Sequence, residues 1–141
     1  MPDAAAPPGA EPPRRDGKPR VPRARFCTLV AEAMETIPAS LRERIVNVEV
    51  VVEDAVDADT LADLGFDAER DVVFGLYQGT PAPERGTAYS ALPDRISIYY
   101  LPLTDQHADE YHLRREIRRT VVHEVAHYFG LSDREIRRMG Y

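Results

Sequence analysis

The sequence predicts an α+β domain, with a small sheet of three or four strands and helices before and after it. Three observations carry this prediction: apolar residues at helical spacing from residue 26, three strand-like runs in the middle of the chain, and a long helical pattern in the last third.

From Phe26 the side chains of Leu29, Val30, Ala33, Met34 and Ile37 recur at helical spacing, and Pro38 stops the run. Cys27 is expected on or near that buried face as a small apolar filler. A turn and short helix follow at residues 40–44, and residues 48–53, rich in valine, form the first strand. A helical turn over residues 59–64 ends at Gly65. Two more strands are expected at residues 72–77, interrupted by Gly75, and at 95–101, where Ile96, Ile98 and Tyr100 alternate with Arg95, Ser97 and Tyr99. The connection between them, residues 79–94, contains Pro81, Pro83, Gly86 and Pro93, and a stretch of that length is either functional or a solvated excursion. A helix capped by Thr104 or Asp109 then runs to about Phe129, where Gly130 breaks it. Ser132 and Glu135 have capping-box spacing, which starts a short last helix with Asp133 at its first position.

A chain of 141 residues is one domain by size. Its net charge of −6 argues against a nucleic-acid partner. The first 25 residues hold six basic and three acidic side chains, a balance of +3 that leaves −9 for the remainder. Crowded with Pro, Ala and Gly and without apolar periodicity, residues 1–22 are expected to form a disordered tail, and residues 23–141 the folded domain. The tail reads as a solubilising extension more readily than as a contact for an acidic partner. A single cysteine permits no intramolecular disulfide, and no segment has the apolar core of a secretory signal or the ~20 apolar residues of a membrane span. A cytoplasmic protein, monomeric by default and without a membrane partner, is the expectation.

Chemistry concentrates in residues 123–133, which read HEVAHYFGLSD and form a HExxHxxGxxD pattern. Residues four apart on a helix lie about 40° apart around the axis and about 6 Å along it, so His123 and His127 can reach one ion. Gly130 can adopt a left-handed conformation that turns the chain back and returns Asp133 as third ligand. Three protein ligands leave a fourth tetrahedral position for water, the arrangement of a catalytic zinc. Glu124 lies beside the ligand face, placed to act as general base on the metal-bound water, and amide hydrolysis is the reaction class that follows. With ordinary residue frequencies the full pattern arises by chance roughly once in 10⁵ chains of this length, so coincidence is a poor explanation. An additional oxyanion donor would come from Tyr99, Tyr100, Tyr128 or Tyr141, although tyrosines near such a helix more often pack.

Around the helix axis Ile117, Val121, Val122, Val125, Ala126, Tyr128 and Phe129 cover about half the circumference, and a narrow sector outside it holds Glu116, Thr120, His123 and His127. Polar groups confined to one sector of a largely buried helix need partners, and an ion supplies one. Arg114, Arg115, Arg118 and Arg119 read as a charged outer face pairing with Glu110 and Glu116. His107 and His112 read as surface residues.

Residues 120–133, together with residues 92–96, 75–79 and 50–53, resemble the minimal zincin-type metallopeptidase family of small bacterial domains. The resemblance covers about residues 26–141. It implies an α/β zincin-like fold, in which a small mixed sheet packs on an N-terminal helix and an active-site helix. It also implies one zinc ion on His123, His127 and Asp133, with Glu124 catalytic. The pattern departs from the metzincins, whose third ligand is a histidine, and Met139 is no Met-turn from spacing alone. In zincins the substrate lies extended along an edge strand above the helix, and residues 95–101 are the candidate for it here.

A zinc-dependent metallopeptidase acting on a peptide or protein is therefore the leading expectation. The alternatives are a zincin-like binding or regulatory module that is catalytically idle, against which intact Glu124 argues, and a metal-dependent ribonuclease. The ribonuclease would call for a basic cleft and no Glu after the first His.

Overall fold

Helices from the two ends of the chain share one apolar core with a three-stranded sheet. The structure, a computed structural model, describes residues 11–86 and 92–141. In chain order its elements are α1 (Arg23–Glu35), α2 (Ala39–Arg42), β1 (Val48–Glu53), α3 (Ala58–Asp63), β2 (Gly75–Gln78), a 3-10 turn (Ala82–Glu84), β3 (Asp94–Tyr99), α4 (Tyr100–Gln106), α5 (Glu110–Tyr128) and α6 (Asp133–Arg138). This is the α+β arrangement expected, with a small mixed sheet.

Phe26, Leu29, Val30 and Ala33 of α1 form one cluster with Ile96 and Ile98 of β3, Leu103 of α4 and Leu113, Ile117, Val121 and Val125 of α5. Cys27 is exposed, contrary to expectation. At 100° per residue it sits on the shoulder of the stripe defined by Phe26, Val30 and Ala33, outside the face that α5 covers.

The strand order is β1-β3-β2, with β1 parallel and β2 antiparallel to β3. The segment expected as the edge strand is therefore the central one. Residues 96–99 are all buried, because neighbours on both edges and packing on both faces leave no exposed alternate positions. The edge beside α5 belongs to β2. Gly75 opens that strand instead of interrupting it, since a Cβ there would stand 2.6 Å from Thr120 Cγ2 and 3.2 Å from Glu124 Cγ. The glycine lets the strand backbone approach α5 closely.

β3 also ends earlier than alternation suggests, at Tyr99, and α4 follows at once. Pro102 sits in the first turn of α4, where its missing N–H is no loss, and the Thr104 hydroxyl donates to the Tyr100 carbonyl at 2.7 Å. Thr104 thus lies inside a helix, and the cap of α5 is Asp109, which accepts from His112 N–H.

Residues 11–22, assigned by composition to an unordered tail, lie against α4. Arg20 donates to the carbonyls of Pro12, Pro13 and Leu101 and to Thr104 Oγ1, and pairs with Asp105 at 2.9 Å. A single guanidinium supplies the polar links that composition cannot reveal. The first ten residues of that tail lie outside the described residues. No described helix is long and apolar enough to cross a membrane.

The long 79–94 connection is tied to the sheet through Asp94, which is 3% exposed. Arg85 pairs with its carboxylate at 2.7 Å and also donates to the carbonyls of Thr80 and Val46. The Tyr77 hydroxyl and the Thr80 N–H donate to the same carboxylate. Burial pushes the Asp94 carboxyl upward, but the donors from Tyr77, Arg85 and Thr80 outweigh it and hold the group below its usual value. That stabilisation is complete above the ordinary carboxylate pKa of about 3.9 and is lost as pH falls through the lowered native value. Asp94→Ala, which leaves Arg85 without its buried partner, should cost roughly 3–5 kcal/mol in urea denaturation at pH 7. The difference from wild type should shrink below about pH 4.

Candidate metal centre

The 19-residue α5 ends at a left-handed glycine, and the geometry of the site follows from that ending. Gly130 has φ of 92°, its N–H donates to the His127 carbonyl, and the Leu131 N–H donates to the Ala126 carbonyl. These two bonds are the Schellman pair that reverses a chain at a helix terminus. Ser132 then caps α6 through a reciprocal bond with Glu135, so Asp133 is the first residue of a helix that starts beside the one just finished.

The turn brings the Asp133 carboxylate to 3.2 Å from His123 Nε2 and 3.0 Å from His127 Nε2. One ligand atom from each residue lies within 4.8 Å of the other two. Donors about 2.0 Å from a tetrahedral ion stand roughly 3.3 Å apart, so this cluster has the dimensions to hold a divalent metal. His127 Nδ1 lies 3.0 Å from the Leu131 carbonyl, which can only accept, so Nδ1 is the donor there and Nε2 is the nitrogen directed at the cluster. The Schellman turn therefore orients a histidine as well as returning the carboxylate. Burial, followed by the neighbouring His127, lowers the pKa of His123 against the opposing pull of Asp133, which favours the neutral, ligating imidazole.

Glu124 is 7% exposed, although it is the most polar residue of its turn. It is covered by β2, where the Tyr77 N–H donates to its carboxylate. Burial raises its pKa to about 7, opposed by His127 and by the Tyr77 N–H and reinforced by Asp133. A carboxylate held in that range can both accept and release a proton near neutral pH.

A cavity of about 520 Å³ opens over this group, lined on one side by Gly75, Leu76 and Tyr77 of β2 and on the other by His123, Glu124, His127 and Asp133. Pro81 and Glu84 of the long connection also line it, so that part of the connection belongs to the site. Of the four tyrosines considered as donors, only Tyr141 lines a cavity with His123 and Glu124. The Tyr100 hydroxyl donates to the Val21 carbonyl, the Tyr128 hydroxyl to the Arg44 carbonyl, and Tyr99 is buried at the end of β3. Those three are structural. His112 is exposed beside Asp109, and the His107 ring lies tilted 6.2 Å from that of Phe74, both outside the centre. Met139 is exposed at the end of α6.

The convergence of His123, His127 and Asp133 was readable from spacing, whereas the Leu131 carbonyl, the Tyr77 N–H and the covering role of Gly75 were not read. A lone glycine inside a strand pattern is the signal that could have revealed the last of these.

The family model described as zincin-like metallopeptidase matches residues 45–141. A conserved hypothetical protein from Thermo thermophilus has a similar structure, with a TM-score of 0.52 and 21% sequence identity over 76% of this chain and 92% of its own. That likeness concerns the fold. No curated protein matches the chain.

Because a Cβ on Gly130 would approach Pro83 Cγ to 2.8 Å in a left-handed conformation, Gly130→Ala should destabilise the protein by about 2 kcal/mol or more in chemical denaturation. The same variant should weaken divalent-metal affinity about tenfold in a competition titration, since the turn orients both Asp133 and His127.

Proposed function

We propose that this chain, which belongs to the zincin-like metallopeptidase family, is a zinc-dependent metallopeptidase with His123, His127 and Asp133 as metal ligands and Glu124 as general base. The observation that carries the reading is the buried carboxylate of Glu124, held beside a three-ligand cluster that faces an open cavity. Two imidazoles and one carboxylate suit zinc by donor type and number. A zinc ion held there would supply Lewis acidity, both to acidify water and to polarise an amide carbonyl.

The chain's own residues do the rest. Glu124 takes a proton from the attacking water on its carboxylate and delivers it to the leaving amine. The Tyr77 N–H fixes the orientation of that carboxylate. Ordering of the peptide falls to β2. Its antiparallel register with β3, and the Tyr99 N–H bond to the Phe74 carbonyl, turn the polar groups of Phe74 and Leu76 inward. By alternation both polar groups of Gly75 and the carbonyl of Tyr77 face outward along the free edge, the Tyr77 N–H being taken by Glu124. An extended substrate adds to this edge by main-chain hydrogen bonds, which brings its carbonyl over the cluster without demanding a particular side chain. Among the tyrosines, Tyr141 is the one placed to donate to a developing oxyanion.

Purified protein should contain one equivalent of zinc by metal analysis and should cleave a mixture of unfolded peptides in a chelator-sensitive manner. Glu124→Gln should retain the zinc while losing turnover by about 10²-fold or more. Zinc-loaded wild type that cleaves nothing would replace this reading with that of an idle binding module, and equal cleavage by both proteins would remove Glu124 from the mechanism.

A further inference from the structure

A second basin of about 360 Å³ adjoins the metal cluster, lined by Phe66, Val72, Val73 and Phe74 on its apolar wall and by Arg119, Thr120, His123, Glu124 and Tyr141 opposite, with Glu116 also at its edge. It is assembled from three distant parts of the chain. Tyr141 is delivered by a left-handed turn like the one at the metal site. Gly140 has φ of 92°, its N–H donates to the Arg137 carbonyl, and the Tyr141 N–H donates to the Ile136 carbonyl.

The cationic group of this basin is Arg119. Expected to belong to a charged face satisfied by nearby glutamates, the arginines of α5 divide into two kinds. Arg114 pairs with Glu32 at 2.9 Å and with Glu110 at 3.9 Å. Arg115, Arg118 and Arg119 make no ion pair among the described residues, and they line a contiguous depression with Tyr141 in which Glu116 is the acidic residue. A second guanidinium, Arg137, acts electrostatically on His123 from α6. On a chain of net charge −6, the depression that adjoins the basin is thus locally positive, with three guanidiniums against Glu116. Such a rim attracts anionic groups and disfavours cationic ones.

Resting on the peptidase reading, we propose that Arg119 receives a carboxylate of the substrate in this basin and so makes the centre selective for peptides that carry an anionic group close to the scissile bond. Arg119 precedes His123 by four residues, about 6 Å along the helix. An extended peptide advances about 3.3 Å per residue, so the recognised carboxylate lies within about two residues of the bond that is cut. A planar guanidinium binds a carboxylate through two parallel hydrogen bonds. The apolar wall from Phe66 to Phe74 accommodates the aliphatic part of the same residue. Either an Asp or Glu side chain or a free terminal carboxylate supplies the shared chemistry.

The test digests matched peptides with zinc-loaded wild type and with Arg119→Glu. One set carries Glu or Gln at each position flanking a fixed cleavage site, and the other ends in a free or an amidated C-terminus. Wild type should favour the carboxylate-bearing member by roughly five- to tenfold in kcat/KM. Arg119→Glu should abolish that preference and favour peptides with Lys at the same position. Selectivity in the Glu set alone identifies a side-chain carboxylate, and selectivity in the C-terminal set alone identifies a terminal one. In parallel, fluorescein-labelled members of both sets are titrated against zinc-loaded Glu124→Gln, which reads binding without turnover. Carboxylate-dependent binding that Arg119→Glu removes would uphold the assignment even if wild type cut nothing, in which case only the peptidase reading falls. Identical preferences in wild type and Arg119→Glu, or no difference between acid and amide in binding, would overturn it.

Discussion

The reversal of the chain immediately after α5 is the constraint on which the rest of the candidate centre depends. Two histidines four residues apart are within reach of one ion on any helix, but a third ligand six residues farther on would be carried away if the helix continued. Gly130 prevents this by adopting φ of 92°, and the two backbone bonds that close the turn leave no freedom in where Asp133 starts its own helix. The same turn presents the Leu131 carbonyl to His127 Nδ1, so one backbone feature both brings Asp133 to the cluster and orients one of its imidazoles. Pro83 packs against the bare Cα of Gly130, linking the long connection after β2 to the ligand turn.

Burial then separates the chemical roles of residues that are neighbours in sequence. His123 and His127 are half-buried and face the cavity, whereas Glu124 is enclosed between α5 and β2. Enclosure raises its pKa to about 7, and the Tyr77 N–H keeps part of the charged form stabilised. This balance needs the close approach that Gly75 allows, because a side chain there would displace either Thr120 or Glu124. The strand that covers Glu124 is also the free edge of the sheet, so the element that tunes the proposed base is the one a peptide would join.

The opposite end of β2 is held by a polar hub. Asp94 receives donors from Arg85, Tyr77 and Thr80, and the Arg85 guanidinium also lies over the Tyr128 ring at 5.0 Å. Because Tyr128 belongs to α5 and its hydroxyl reaches the segment before β1, the hub binds the helix, the sheet and the connection into one unit. A site spread over α5, α6 and β2 is only as rigid as these links.

Local spacing determined much of this protein. The α1 stripe, the first strand, the Schellman glycine, the Ser132 capping box and the convergence of His123, His127 and Asp133 all follow from interactions between residues close along the chain, and these are what sequence patterns record. Tertiary structure decided the remainder: that residues 95–101 supply the centre of the sheet and not its edge, that α4 begins at Tyr100, that Cys27 faces outward, that residues 11–22 lie against α4, and that Glu124 lies beneath β2. It also decided which arginines of α5 are paired and which stand open beside the cleft. Each of these depends on which distant segment covers a given side chain, and a residue's burial and partners are properties of that covering, not of its neighbours in the sequence.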